Sequence, residues 1–346
     1  MVVIGIDAHK ATHTAVAVDG NGAELATKTV RADIGGHLEL LRWAEGFGPE
    51  RRFAAEDCRH LTRNLERDLL RAGEAVVRVP PKLMAGCRRS ARTQGKSDPI
   101  DALAVARAAQ REPGLPVAHL DGPERELRLL VDHREDVVAT RTRAINRLRW
   151  HLHELDPGIG TGDLTRLKHL NALVDTLHAH QGMVADLARE LSGECRELTV
   201  KERALERQIA ERVAQLAPAL LALTGCGALT AAKIVGETAG VERFKSADAF
   251  ARHNGTAPIP VWSGNNDHHR LNRGGNRQLN AALHRIAVTQ IRYPGPAKDA
   301  LEQLTKSGKT KRDALRIIRR RLSDIVYKRL VEDSQASSAP CLARAA

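Results

Sequence analysis

The run Val2–Asp7, VVIGID, is a short series of β-branched and apolar residues that ends in an acid. Such a run predicts a buried β-strand. Two further strands, Thr14–Val18 and Ala23–Val30, flank the sequence DGNG, which is typical of a tight hairpin turn. The start of the chain therefore predicts two or three strands joined as hairpins.

Helices and strands alternate after this hairpin. Gly36–Phe47 and Leu61–Arg71 have the apolar spacing of helices, whereas Arg52–Glu56 and Ala75–Val79 are short strands. A hairpin followed by alternating helices and strands predicts a mixed sheet with helices packed on it. We therefore expect an α/β domain over residues 1–118.

Four acids stand at informative places in this domain. Asp7 and Glu56 each close a predicted strand, and the functional groups of such sheets gather at strand ends. In KSDPIDA (96–102), Pro99 favours a helix start, with Asp98 as the N-cap and Asp101 on the same face of the first turn. Each acid alone also has a structural explanation, as a satisfied strand end or a helix cap.

Together the four carboxylates form a ligand set for hard cations such as Mg²⁺. Two such ions about 3.5–4 Å apart can stabilise the attacking and leaving oxygens at a phosphate. The segment between Pro81 and Asp98 contains no acid and is expected to be a loop, either solvated or in contact with a phosphate backbone. Its basic residues are Lys82, Arg88, Arg89, Arg92 and Lys96.

The composition of the 346 residues favours a polyanionic partner. The formal net charge is +12, spread along the chain, and aromatic residues make up only 3%, so phosphate contacts by Arg and Lys are expected to dominate over base stacking. The five cysteines form no C-x-x-C pair, which argues against a zinc module or a disulfide framework. No apolar run reaches membrane-spanning length, and we expect a cytoplasmic protein.

A heptad seam runs through the middle of the chain, and residues 119–216 are predicted to be a helical coiled-coil spacer. Apolar residues recur at alternating spacings of four and three from Leu127 to Leu155, interrupted by Arg134 and Arg141. Asp163–Leu191 is also expected to be helical, and another helical run follows from Leu198 to Leu216. Two arrangements fit this pattern, an oligomerising helix hairpin, which we favour, and a purely intramolecular one.

Residues 217–333 are predicted to form a second, helical domain. Gly225 and Gly227 lie in a turn between two helical segments, which predicts a helix-hairpin-helix whose backbone N–H groups meet a DNA phosphate. The alternative is a tight turn within a helical bundle. Ser246 is expected to cap the helix that follows it.

A long polar segment, Gly255–Gly275, is expected to be a functional or disordered loop. It contains one hydroxyl beside a glycine, Ser263, ahead of Arg270 and Arg273. The last helix is densely basic, and its predicted contacts with a nucleic-acid backbone are Arg316, Arg319 and Arg320. The tail, residues 334–346, is expected to be disordered.

Taken in order, these motifs resemble the IS110-family transposases, recombinases guided by a bridge RNA. GID near the start, Glu56 at a later strand end and K-x-D-x-x-D before a helix resemble the DEDD motif of their RuvC-like, RNase H-type domain. TGCG, RFKSA, GTAP, SG and NRGGN, between residues 224 and 276, resemble their C-terminal transposase domain in the same order. One departure is Asp57-Cys58-Arg59 after Glu56, where the family often has small residues and a glycine, so Asp57 is a second candidate for the role of Glu56.

The resemblance implies a function and a set of roles. Asp7, Glu56, Asp98 and Asp101 would bind Mg²⁺ or Mn²⁺, two ions in all, and Ser263 would be the nucleophile that becomes joined to DNA. The partners implied are donor and target DNA, a bridge RNA, and further copies of the chain in a dimer or tetramer with a composite site. Two alternatives stay open, a metal-dependent junction nuclease in which water attacks, and a non-catalytic nucleic-acid scaffold.

Overall fold

The computed structural model describes residues 1–89, 97–263 and 266–338. Contacts divide the chain into two compact units, Met1–Asp121 and Gly122–Ala346. The second unit contains both the predicted spacer and the predicted C-terminal domain, so their boundary at residue 217 stays a prediction. None of the helices in the described ranges is both long enough and apolar enough to cross a bilayer.

The first unit is built on a five-stranded mixed sheet, which confirms the predicted fold class. Its strands are β1 (Val2–Ala8), β2 (Thr12–Val18), β3 (Glu24–Arg31), β4 (Arg51–Glu56) and β5 (Val76–Val79). The spatial order is β3-β2-β1-β4-β5, with β1 antiparallel to β2 and parallel to β4. This hairpin-then-crossover arrangement is the RNase H-type sheet that the family resemblance implied. Parallel β1 and β4 end at the same edge, where Ile6 pairs with Ala55, one residue before each acid.

Helices cover both faces of this sheet. α1 (Ile34–Glu45) and α2 (Arg59–Arg71) lie over one apolar face, which includes Ile4 and Ile6. Two later helices are α3 (Pro81–Arg89) and α4 (Asp98–Arg111), and α4 packs against the other face beside Val3. Val3 faces one layer of helices and Ile4 and Ile6 face the other, because successive side chains of a strand point to opposite faces.

Two expectations for the segment before α4 are wrong. Pro81–Arg89 is helical rather than a loop, and Leu83, Met84 and Cys87, which have helical spacing, pack partly buried against the core on the α4 side of the sheet. The N-cap of α4 is Ser97, so Asp98 is the first helical residue and Asp101 lies in the first turn as expected. Pro99 at the second helical position is tolerated because the first-turn N–H groups have no partner within the helix.

The second unit begins with a long helical hairpin. Its helices are α5 (Pro123–Leu155), α6 (Leu167–Leu177) and α7 (Met183–Leu216), with α6 ending before the expected Leu191. Arg134 and Arg141, which interrupt the predicted seam, form ion pairs with Glu202 of α7. The seam is therefore satisfied within one chain, as the intramolecular alternative required.

The C-terminal part of this unit is mainly helical around one core. Its elements are α8 (Pro218–Leu221), α9 (Ala228–Thr238), α10 (Ala247–His253), β6 (Ile259–Ser263), β7 (Asn266–Arg270), α11 (Arg277–Gln290), α12 (Pro296–Lys306) and α13 (Lys311–Ser338). The core joins Leu127 and Ile209 of the long helices to Leu283 and Leu322. Ser246 caps α10 as expected, accepting a hydrogen bond from the N–H of Ala249. α13 continues through residue 338, so 334–338 are helical rather than disordered, while 339–346 lie outside the described residues.

Candidate functional site

The acids predicted as metal ligands meet at one edge of the five-stranded sheet. Asp7 is the next-to-last residue of β1, with its side chain only 12% exposed, and Glu56 is the last residue of β4 and is half-buried. Asp98 and Asp101 come from the first turn of α4. Asp7 lies within electrostatic range of Asp98 and Asp101, and Glu56 within range of Asp7 and Asp101. The structure thus brings all four together.

This clustering is electrostatically unfavourable without a counter-charge. Burial raises the pKa of Asp7 above its ordinary value, and the carboxylates of Asp101 and Asp98 raise it further. Burial also raises the pKa of Glu56, followed by the charges of Asp7 and Asp101. A cation that binds among these carboxylates removes their mutual repulsion and therefore stabilises the folded protein.

Two side chains contact these carboxylates, and the guanidinium of one of them, Arg88, supplies part of that counter-charge. His9 Nε2 lies 3.1 Å from Asp7 Oδ2 and 3.5 Å from Asp98 Oδ1, so the imidazole bridges β1 and α4. Arg88 of α3 donates from Nη1 to Asp101 Oδ1 across 2.8 Å. Our sequence reasoning missed His9, although its position two residues after Asp7 was a usable signal, and treated Arg88 only as a phosphate contact.

The donor set fits a hard divalent cation. One ligand atom each from Asp7, His9 and Asp98 lies within 4.8 Å of the others, a spacing that one ion can bridge. Carboxylate oxygens are the preferred ligands of Mg²⁺ and Mn²⁺, while a nitrogen ligand is better accepted by Mn²⁺ than by Mg²⁺. A bound cation would compete with Arg88 for the carboxylate of Asp101.

The residues after Glu56 form a tight turn into α2. The N–H of Cys58 donates to the Glu56 carbonyl across 2.7 Å, and the N–H of Asp57 donates to Val79. Burial, followed by the charges of Glu56 and Asp7, raises the pKa of the Cys58 thiol to about 11, so it stays protonated at neutral pH. Asp57 is half-buried beside Glu56 and adds to the negative charge there.

The other basic residues predicted near the acids are placed only in part. Lys82 and Arg89 are exposed on α3. Arg92 and Lys96 lie outside the described residues. Their contact with nucleic acid stays a prediction.

Ser263 stands at the end of β6, not in a loop. β6 and β7 form an antiparallel hairpin in which Ser263 pairs with Asn266 and Trp262 with Asp267. The segment was expected to be irregular because β7, NDHHR, has no apolar alternation. Apolar alternation is expected only of a strand with one face buried against a core.

Two glycines close the base of this hairpin. Gly255 and Gly275 have φ values of 73° and 84°, and a Cβ on Gly275 would lie 2.7 Å from the Gly255 nitrogen. The N–H of Asn276 donates to the His253 carbonyl across 2.7 Å. Only glycine fits at both positions, so the two ends of the hairpin segment are held together.

The structure also gives the positions of the remaining residues that were predicted to contact nucleic acid. Gly225 adopts φ 82°, and Gly227 is the N-cap of α9, although the preceding α8 is a single turn. The three arginines of α13 have partners within the chain: Arg316 pairs with Asp313, Arg319 donates to Asn280, and Arg320 pairs with Asp324 and Asp248. Arg270 and Arg273 are exposed.

Comparisons with known proteins agree with this arrangement. A family model for DEDD transposases of the IS110 type, described as "Transposase", matches residues 4–157. A second, described as "Transposase IS116/IS110/IS902 family", matches residues 217–302, so the two models cover more than half of the chain between them.

Curated relatives match over nearly the whole chain. A 44.8 kDa protein of insertion element IS116 from Streptomyces clavuligerus is 28% identical, covering 97% of this chain and 96% of the relative. A 42 kDa protein of insertion element IS900 from Mycobacterium paratuberculosis is 26% identical, covering 94% of each. Among solved structures, Thermus thermophilus RuvC matches 31% of this chain and 92% of its own at 20% identity, with a TM-score of 0.25. The same enzyme in complex with a Holliday junction substrate matches at 18% identity and the same TM-score.

The fold and these matches define the class of protein as a transposase, an enzyme that acts on DNA. The chain belongs to the IS110 family of insertion-element transposases.

Proposed function

We propose that this transposase cuts and exchanges DNA strands through a phosphoserine intermediate assisted by divalent metal ions. The observation that carries the proposal is the meeting of Asp7, Glu56, Asp98 and Asp101 at one sheet edge. Mg²⁺ or Mn²⁺ held there, two ions in all, would polarise the scissile phosphate and stabilise the leaving oxygen.

Ser263 is the proposed nucleophile. Its Oγ attacks phosphorus, an Oγ–P bond forms, and the bond from phosphorus to the leaving oxygen breaks as the serine proton is lost to solvent. Attack by a hydroxyl of the second DNA then releases the serine and joins the new strands. Splitting the exchange into two transfers conserves the bond energy, so no co-reactant is needed.

The protein's own residues tune the acidic site. Arg88 partly neutralises the carboxylates before DNA arrives, which lessens the repulsion that burial intensifies, and His9 lies within hydrogen-bond distance of Asp7. A cation held by Asp7, His9 and Asp98 would weaken the pair between Arg88 and Asp101, which would leave the guanidinium available to an incoming phosphate. Asp57 and Glu56 both remain candidates at the end of β4.

The acids belong to the first unit and Ser263 to the second. We propose a composite site, with acids from one subunit and serine from another, in a dimer or tetramer. A bridge RNA selects donor and target DNA by base pairing, while the protein contacts backbone and shape. The net charge of +12 supports such a partner.

Mixing two inactive variants tests the composite site. Ser263→Ala and Asp101→Asn should each abolish strand exchange, whereas a mixture should recover part of it, because some sites combine an intact serine with intact acids. If each variant is inactive and the mixture is too, the composite site is wrong. If Ser263→Ala alone cuts DNA normally, the junction nuclease is the better description.

A further inference from the structure

We propose that Trp262, on strand β6 of the paired strands β6 and β7 (the β6–β7 ribbon), stacks on a DNA base beside the scissile phosphate. The inference rests on the proposed function, because Ser263 follows Trp262 directly on β6. It adds a residue that contacts the base next to the reacting bond. No metal chemistry enters this proposal.

Trp262 is the first observation. The chain has only three tryptophans, two tyrosines and four phenylalanines, yet the Trp262 side chain is 74% exposed. Trp43, in contrast, packs edge-on against Phe47 at 4.9 Å between ring centroids. Trp150 of α5 is just as exposed, at 75%, so exposure alone does not identify a contact. Trp262 differs because it directly precedes the proposed nucleophile, where bound DNA would cover the indole.

β6 and β7 form a separate two-stranded ribbon. β6 and β7 pair only with each other in the described sheet topology. Pro260 and Trp262 lie on one face of β6 by the two-residue period, and Pro260 pairs across the ribbon with His269. Pro260 cannot donate to a further strand, so pairing with another sheet is disfavoured on that edge. The Gly255–Gly275 closure fixes the base from which the ribbon extends.

Charge around Trp262 points to nucleic acid. From Ile259 to Arg273 the sequence has one acid, Asp267, against two histidines and two arginines. Arg270 and Arg273 are both exposed. Asp267 and Arg270 cancel within the ribbon, and Arg273 follows it directly, so exposed guanidinium groups and an exposed ring are available for the two components of a nucleic-acid strand, phosphate and base.

DNA is the occupant that the position favours. Stacking on an indole is tolerant of sequence, since every base has a π-face, and apolar wedges beside a phosphate unstack a duplex step. The ribbon carries the proposed nucleophile for DNA, so the base it meets belongs to the strand being cut. Arg270 and Arg273 would contact the phosphates on either side of that base.

Fluorescence of the full-length protein tests this proposal. The probe is a mixed-sequence DNA duplex with a short unpaired bubble that carries 2-aminopurine. DNA should quench tryptophan emission in the wild type and in Trp150→Phe, a matched control because Trp150 is 75% exposed on α5, but much less in Trp262→Phe. Trp262→Ala should weaken binding about 5- to 150-fold, the range measured for one stacked base, while Trp150→Ala leaves it unchanged.

Three further measurements distinguish the possible outcomes. Arg270→Ala and Arg273→Ala should each reduce the salt dependence of binding by about one phosphate contact. Ser263→Ala should keep the Trp262-dependent quenching, so failure of the serine chemistry and failure of stacking are told apart. Equal effects of the Trp262 and Trp150 variants, or a larger Trp262-dependent change with RNA of the same sequence, would overturn the proposal.

Discussion

Gly5 of β1 and Ala102 of α4 are in such close contact that a Cβ on Gly5 would lie 2.2 Å from the Ala102 carbonyl oxygen. The same Cβ would lie 2.4 Å from the nitrogen of Ala106. α4 therefore sits directly on β1, which brings its first turn over the end of that strand. This backbone contact is what places Asp98 and Asp101 beside Asp7.

Gly5→Ala should damage both the fold and the acidic site. Because the clash is with backbone, α4 must shift, and overpacking of this kind costs about 1–3 kcal/mol or more of unfolding free energy. Urea unfolding measures the loss, and Mn²⁺ titration should show weaker binding. Gly86→Ala is the control, since Gly86 is helical with no atom within 4 Å of a built Cβ and alanine there should be neutral or stabilising. Equal effects at the two glycines would contradict the packing argument.

Divalent cations should stabilise the first unit through the clustered acids. At saturating Mg²⁺, one hundred times its dissociation constant, binding adds about 2.7 kcal/mol per site to the free energy of unfolding. Glu56→Gln should remove most of this gain while raising the melting temperature of the metal-free protein, because it removes a charge from a repulsive cluster. Differential scanning calorimetry with and without Mg²⁺ measures both effects.

The pH dependence of that metal-free stability follows from the same cluster. The folded-state pKa values of Asp7 and Glu56 are raised, so between the unfolded and folded values the folded chain binds more protons. Stability from these two groups is present at low pH and is lost as pH rises through their folded pKa values. A metal-free Glu56→Gln protein that showed the full wild-type pH dependence would contradict this assignment.

His13 should produce an opposite trend near mild acid. Its ring is buried, stacks on His37 at 5.4 Å between centroids, and burial followed by the His37 charge lowers its pKa to about 4. His37 in turn shares a 2.7 Å hydrogen bond with Asp68. The unfolded chain therefore binds the extra proton first, and about 3 kcal/mol of stability is lost as pH falls from about 6.5 to 4.

Replacing His13 tests that assignment. His13→Asn should be less stable at neutral pH but should lose less stability between pH 6.5 and pH 4 than the wild type. His153→Asn, at an exposed position of α5, should leave the acid loss unchanged. Urea unfolding across this pH range is the measurement, and an unaltered acid loss in His13→Asn would contradict the role of His13.

The pairing of α5 with α7 should depend on Glu202 far more than on Glu206. Glu202 is buried and accepts from both Arg134 and Arg141, so Glu202→Ala leaves a buried Arg141 charge without its carboxylate and costs about 3–5 kcal/mol. Glu206 is 40% exposed and meets Arg134 alone, so Glu206→Ala costs less than about 1 kcal/mol. Chemical denaturation compares the two variants, and similar losses would mean that the ion pairs do not hold the hairpin.

Local patterns were sufficient to predict the sheet and the gathering of acids. Parallel strands end at a common edge, so Asp7 and Glu56 could be placed together from strand order alone. The i, i+3 spacing of Asp98 and Asp101 then placed both on one face of α4.

Contacts between residues far apart in the sequence could not be predicted from local patterns. The contact between His9 and Asp98, and those of Arg134 and Arg141 with Glu202, join residues far apart in sequence. The β6–β7 ribbon and α3 were missed for a different reason. β7, NDHHR, has no apolar alternation, and in α3 the helical spacing of Leu83, Met84 and Cys87 is short and lies among basic residues.

A trapped protein–DNA adduct tests the central account most directly. Full-length protein is incubated with Mg²⁺, guide RNA and labelled donor DNA, denatured, digested with protease and analysed by mass spectrometry for a nucleotide-bearing peptide. The account predicts a phosphodiester on Ser263 in the wild type, absent in Ser263→Ala and in Asp101→Asn. DNA cleavage that persists in Ser263→Ala with no adduct on any residue would contradict it.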